Sequence, residues 1–394
     1  MNWRFASDPR AAGDPDAHFV SDSADDPRFD PGAGARADLD APAWTLIARR
    51  FLRHRLAVAC GVYLLAIYLA LPFIGFFAPY LHTERNEDRI YAAPQMVRLF
   101  HEGAFIGPHT YATSETLNLD TFQNETEIDL STPLPLRFFT RCGTPHRFLG
   151  VFETDFRVLC APEGHDFFLL GTDRLGRDVH SRIMYGAQLS LTVGLIGVLV
   201  SFAIGLALGG AAGFFGGWVD AGVSRAIEIV RSLPELPIWL ALSAAIPPAW
   251  GPVSVFFMIS IILGLLDWPG LARAVRSKFL ALRREDYVQA AELMGASPHR
   301  IVWAHMIPNF MSHLVASAAL AVPTMILGET ALSFLGLGLR APAVSWGLML
   351  NDALDLTVVE IYPWLLAPLA PVMMVVLAFS FLGDGLRDAL DPYS

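Results

Sequence analysis

Of the 394 residues, 54% are hydrophobic and 17% charged, and the mean hydropathy is +0.44. These values lie away from the soluble globular norm, toward membrane proteins, and they override the two or three soluble domains that length alone would suggest. Much of the net charge of −10 sits in residues 1–43 and 80–188, and neither stretch has the clustered Lys and Arg of a nucleic-acid surface.

In chain order, residues 1–43 hold nine Asp and four Arg among Ala, Pro and Gly. Such a stretch buries too little apolar surface to offset its ordering entropy, so 1–44 is expected to be a disordered acidic extension. It has no basic start and no early apolar core, so it is not a signal peptide. Arg49, Arg50, Arg53 and Arg55 then precede Leu56–Phe77, 22 residues without a charge. That is enough to cross a bilayer, and the arginines place its start on the cytoplasmic side. Residues 45–78 thus form a basic flank and a first transmembrane helix. Residues 79–187 mix prolines, threonines and charges with short apolar alternations such as 148–156. This predicts a small extracytoplasmic insert with some strand. Cys142 and Cys160 lie in it, and they are either an extracytoplasmic disulfide or two unrelated small core residues.

Leu189–Phe215 is a second uncharged run, of 27 residues, punctuated by Gly194, Gly197, Gly205, Gly209, Gly210 and Gly213. Small residues let membrane helices approach closely. A third span is expected near residues 223–245, with Arg225, Glu228 and Arg231 in its first half and Pro234 and Pro237 interrupting it; such a segment must face protein rather than lipid. A fourth span covers about 253–271. The basic excess from Arg273 to Arg300 makes the loop after it cytoplasmic. The fifth span covers about 310–327 and the sixth about 363–382. Six spans with both ends inside satisfy every short-loop charge bias. The fold class is therefore an all-α polytopic membrane protein with the insert between spans one and two. Residues 328–360 fall on the outer side, where they can dip into the membrane.

The segment from Asp286 to Asn309 is the most informative. Tyr287, Ala290, Ala291 and Met294 follow i, i+3, i+4, i+7 spacing and share one helical face. Gly295 can supply the left-handed residue that ends this helix, Ser297 is a natural N-cap with Pro298 at the first helical position, and Pro308 closes the second piece. A helix–corner–helix with two alanines on one face lets another backbone come close. An amphipathic loop packed on its own bundle fits the composition equally well. This segment resembles the EAA loop of importer-type ABC permeases: Gln289, Ala290, Ala291, Gly295 and Pro308 match, with Gln289 in place of the eponymous Glu. The resemblance implies that the 283–309 loop, through Tyr287, Gln289, Ala290, Ala291, Glu292, Met294, Gly295, Ile307 and Pro308, docks into a groove on an ATPase subunit.

Further stretches resemble one branch of that family, the C-type permeases of dipeptide and oligopeptide importers. The first runs from Leu170 to Leu191 and contains Gly171, Thr172, Asp173, Gly176, Arg177, Asp178, Ser181 and Arg182. The second runs from Glu329 to Leu339 and is followed by Ser345-Trp346-Gly347. The ending 382–392 is similar as well. The resemblance covers roughly 45–80 and 168–394. It implies the type I ABC importer permease fold, with the permease domain at 188–394, and a place in a bacterial inner membrane with both termini cytoplasmic. The partners it implies are a second homologous permease, one or two ABC ATPase subunits, an extracytoplasmic solute-binding protein and the lipid bilayer, with no nucleic acid. The implied cargo is a peptide; the same branch also carries oligosaccharides, opines and nickel complexes.

A phosphate-cradling loop needs a Gly-Lys pair, and Lys278, the one lysine, follows Ser277. No catalytic residue, metal site or cofactor is therefore expected on this chain, and ATP with Mg belongs to partner ATPase subunits. His54, His299 and His305 are expected to be solvated or structural. Glu228 with Arg225 or Arg231 is expected to be a structural ion pair, with a proton relay as the alternative. Asp267, beside Trp268 and Pro269, is expected at a helix end. A stand-alone secondary carrier is the rival class; it would need more spans and internal repeats, and it has no use for the 290–308 loop.

Overall fold

The computed structural model describes residues 43–118, 123–148, 152–162 and 164–390. The chain divides into two units, Met1–Arg50 and Phe51–Ser394. The expectation of disorder for 1–44 falls almost wholly outside the described residues, which within the first unit hold only the start of helix α1 (Ala43–Arg53).

Five helices of the second unit are long and apolar enough to cross a membrane: α2 (Arg55–Phe77), α3 (Val179–Phe215), α6 (Pro252–Leu282), α8 (Pro298–Phe334) and, after the shorter helices, α11 (Pro363–Leu390). They contain the expected spans one, two, four, five and six, with α3, α6 and α8 extending well beyond the expected bounds. The expected third span differs. It is two helices, α4 (Gly217–Ser232) and α5 (Glu235–Ala244), neither long enough to cross alone. The break has a local cause. Proline disfavours helical backbone in the residue before it, and Leu233 is extended (φ −96°, ψ 139°) ahead of Pro234. Pro237 lies in the first turn of α5, where no N–H is missed. Arg225 and Glu228 form an exposed ion pair at 2.8 Å, as expected. Asp267 is not at a helix end: it lies inside α6, where Ser201 Oγ donates to it at 3.2 Å.

The core joins α2, α3, α6, α8 and α11 through Leu64, Leu191, Ile259, Leu263, Met325, Ile326 and Val375. The most extensive helix–helix contact is α3 against α6. A Cβ at Gly209 would lie 2.4 Å from the Ala272 carbonyl oxygen, and one at Gly213 would lie 2.5 Å from Phe279 Cβ. The small residues of α3 thus bring the two backbones into contact, and dispersion does the holding.

Between α2 and α3 lies the insert, which is built from strands. An antiparallel sheet has the order β1 (Arg98–His101), β2 (Ala104–Asn118), β3 (Gln123–Pro135). A separate hairpin pairs β4 (Arg137–Phe148) with β5 (Phe152–Cys160). The 148–156 alternation therefore straddles the hairpin tip rather than forming one arm, and residues 149–151 fall outside the described residues. The structure joins Cys142 and Cys160 across this hairpin in a disulfide, Cα to Cα 6.2 Å. Arg157 of β5 fixes the hairpin to the end of α2. Its buried guanidinium donates to the carbonyl oxygens of Ala78 (3.0 Å), Pro79 and Thr144 (2.6 Å). His146 of β4 packs edge-on to Phe76, with its ring against Gly75. Burial, then the nearby Arg157, holds the His146 imidazole below its ordinary pKa.

Candidate functional site

The residues 283–309 form a compact corner. Helix α7 (Asp286–Leu293) ends at Gly295 with φ +79°. Gly295 N–H donates to the Glu292 carbonyl at 2.9 Å and Ala296 N–H to the Ala291 carbonyl at 3.0 Å. This paired 5→2 and 6→1 closure needs a left-handed residue, which glycine adopts without strain. Ser297 caps the next helix by accepting from Arg300 N–H at 3.4 Å, with Pro298 in its first turn.

Two details differ from the sequence expectation. Pro308 does not close a second piece; α8 runs through it. A π-helical turn at Ile301–Met306 precedes it, and Phe310 is kinked (φ −126°). A π turn widens the backbone locally and so accommodates a residue without an N–H. The alanine pair also divides. Ala291 is buried with Val288 against Ile301, Met306 and Ile307, while Ala290 is exposed. The outward face consists of Tyr287, Ala290, Leu293 and Met294, with Leu293 90% and Met294 82% exposed. Leu293 was missed in the sequence, although it follows Ala290 at i+3. Gln289 donates from Nε2 to the Arg284 carbonyl at 3.1 Å, which a Glu could not do, and Asn309 Nδ2 donates to Tyr287 Oη at 2.8 Å. Glu292 is exposed on the same helix.

The 171–182 residues are the reverse: the structure brings them together and buries them. Asp173 Oδ2 pairs with Arg177 Nε at 2.7 Å and with Arg182 Nη1, and its Oδ1 accepts from the N–H groups of Leu175 and Arg177. Asp352, 170 residues further on, completes the cluster, taking Arg182 at 3.5 Å and Arg174 at 3.1 Å. Thr172 Oγ1 accepts from Ala92 N–H at 2.7 Å and donates to the Arg89 carbonyl. Trp364 Nε1 donates to the Thr172 carbonyl at 3.0 Å, its indole lying against Gly171. At Gly176 a Cβ would fall 1.8 Å from the Asn86 carbonyl oxygen, so the insert and this loop touch backbone to backbone. Asp178 caps α3 by accepting from Ser181 N–H at 2.8 Å, and Ser181 Oγ accepts from Tyr80 N–H at 3.0 Å. Burial pushes the Asp178 carboxyl up to about 6, against the hydrogen bonds from Ser181 and His180 that favour its charge. With most of its polar groups committed to one another, Arg182 Nε and Asp178 Oδ1 excepted, this cluster braces the insert onto α3. Among the described residues no three His, Cys, Asp or Glu side chains converge as a metal would require.

Residues 205–393 match the family of binding-protein-dependent transport system inner membrane components, and residues 43–94 match the N-terminal TM domain of oligopeptide transport permease C. The dipeptide transport system permease protein DppC of Bacillus subtilis is 41% identical over 223 residues, 56% of this chain and 68% of that protein. The chain belongs to this family of ABC-importer permeases. The oligopeptide transport system permease protein OppC of Haemophilus influenzae is 39% identical over 248 residues, 61% of this permease and 75% of that one. A solved structure of the MetNI methionine ABC transporter, inward facing, aligns at a TM-score of 0.41 and 19% identity over 53% of this permease and 96% of that chain. The permease is thus a multi-pass inner-membrane transport subunit and not an enzyme.

Proposed function

We propose that this permease forms half of the path through which an ATP-driven importer moves peptides. The exposed ledge of Tyr287, Ala290, Leu293 and Met294 carries the reading. Two large apolar side chains are exposed on a short helix whose other face, Val288 and Ala291, is anchored in the core. Such a ledge fits a hydrophobic groove on a partner, in the helix-in-groove manner. The partner is the ATPase subunit, which binds ATP and Mg and drives the corner through Gly295 and the α7–α8 closure. The ledge lies on the cytoplasmic side together with both termini, in keeping with the arginines around 49–55 and 273–300. Helices α4 and α5 together make the sixth crossing. Their bare, charged surface faces the path and a second, homologous permease, since Arg225, Glu228 and Arg231 cannot face lipid. The insert stands outside, where a solute-binding protein delivers the peptide.

The test is Leu293→Asp in the assembled transporter. Membrane insertion should persist while ATPase subunits no longer co-purify and peptide uptake is lost. Normal co-purification and uptake would overturn the docking assignment. Peptide uptake by the purified chain alone in liposomes would overturn the half-path.

A further inference from the structure

Glu329 is wholly buried in α8, and the partners of its carboxyl are serine hydroxyls. Ser333 Oγ lies 2.7 Å from Oε1 and Ser190 Oγ 3.2 Å from Oε2, and the Ser345 hydroxyl joins them. Each of these hydroxyls also accepts a backbone N–H from the chain that returns after α8: Leu339 to Ser333 at 3.1 Å, Trp346 to Ser190 at 3.1 Å, and Leu348 to Ser345 at 3.2 Å. A hydroxyl has one proton and two lone pairs, so each serine can serve the backbone and the carboxyl at once. Trp346 Nε1 adds a bond to the Ile183 carbonyl at 2.9 Å, and Asn351 Nδ2 one to the Phe334 carbonyl at 2.5 Å. A Cβ at Gly347 would fall 2.7 Å from Thr330 Cα, so the returning chain lies flush on α8.

A buried carboxyl is costly to keep, and an apolar side chain would fill the same space. What the carboxyl supplies is connection. Its two oxygens gather a serine from α3, one from α8 and the N-cap of α9 (Trp346–Asn351). We propose that Glu329 is a positioning residue for transport: it clasps residues 335–351 onto α3 and α8, so that the loop and both helices move as one gate leaf. The transport role rests on the permease reading above; the clasp itself can be read without it.

The experiment uses the assembled transporter in proteoliposomes, with Cys60→Ser and the buried Val344→Cys as a reporter. With Glu329 present, the Val344→Cys thiol should label slowly with a maleimide. In Glu329→Ala, labelling should quicken and peptide uptake fall, each about tenfold, the scale of one lost buried hydrogen bond or more, with ATPase subunits still bound. Glu329→Gln keeps the shape, an acceptor and a donor, and should restore both readouts. Ser190→Ala, a milder change that frees only the α3 arm, should give an intermediate labelling rate. Slow labelling in both Glu329→Ala and Ser190→Ala, or a Glu329→Gln as defective as Glu329→Ala, overturns the clasp. Fast labelling with unchanged uptake overturns the positioning role. If the parent transporter takes up no peptide, the permease reading fails, and labelling alone judges the clasp.

Discussion

The 171–182 and 287–308 stretches both stand out from the sequence, yet they place their side chains oppositely. The first turns charged groups inward, where Asp173, Arg177, Arg182 and Asp352 pair with one another. The second turns apolar groups outward, leaving Leu293 and Met294 bare. The buried charged motif braces the chain against itself, and the exposed apolar motif is the one proposed above to meet another chain. Distinctiveness in sequence therefore signals constraint, and burial tells which kind.

The comparison breaks most visibly at Gly295. Gly295→Trp combines a left-handed backbone that side chains resist with bulk beside the ledge, where nothing now lies within 4 Å of a Cβ. Transport should be abolished and ATPase association weakened while the subunit still inserts, as co-purification and uptake assays would show. In the brace, Arg182→Ala leaves the buried Asp173 without one of its two cations. It should destabilise the subunit by about 3–5 kcal/mol, measurable as earlier denaturation of detergent-purified protein, with ledge variants such as Leu293→Asp leaving that transition in place. A stability loss from Leu293→Asp as large as that from Arg182→Ala would erase the distinction between the two regions.

Smaller effects probe the insert. Replacing Cys142 and Cys160 by Ser opens a hairpin loop whose closure is worth about 3 kcal/mol in the chain-entropy model, so limited proteolysis of 137–160 should quicken with transport-domain helices unaffected. Peptide mapping under non-reducing conditions that finds both thiols free in cell-extracted protein would refute the bridge. The smallest effect is the acid sensitivity of His146. Its pKa is depressed in the folded state, so its contribution to stability is present above about 6.5 and is lost as pH falls through the lower folded value. Amide exchange in β4 should therefore rise on acidification, and His146→Phe should flatten that dependence.

The spans were legible because long uncharged runs leave few alternatives, and the α7 corner because Gly295, Ser297 and Pro298 each perform a local act. Other features were not legible, for identifiable reasons. The spacing of Tyr287, Ala290, Ala291 and Met294 defines a face but not which side of it meets the core, and a small alanine is compatible with either; Val288, outside the spacing, decided it. Pro234 was visible as an interruption, but whether proline kinks a span or splits it depends on the packing of α4 and α5. Asp352 could not be assigned to the Arg182 cluster, because a contact across 170 residues leaves no local pattern. The pairing of β1 with β2 and of β2 with β3 was hidden likewise, since alternation names strands and not partners.

The seam between α3 and α6 carries a consequence for leakage. Gly264 would place a Cβ 2.5 Å from the Gly197 carbonyl oxygen, and Gly209 one 2.4 Å from that of Ala272, so backbone meets backbone over several turns. A file of water needs room and polar partners, and along this line it finds neither, apart from the Ser201–Asp267 contact. The seam should therefore be closed to ions. A substitution such as Gly209→Leu would prise it open, and it should register as a rise in passive proton conductance of the membrane before any change in the rate at which cargo is carried.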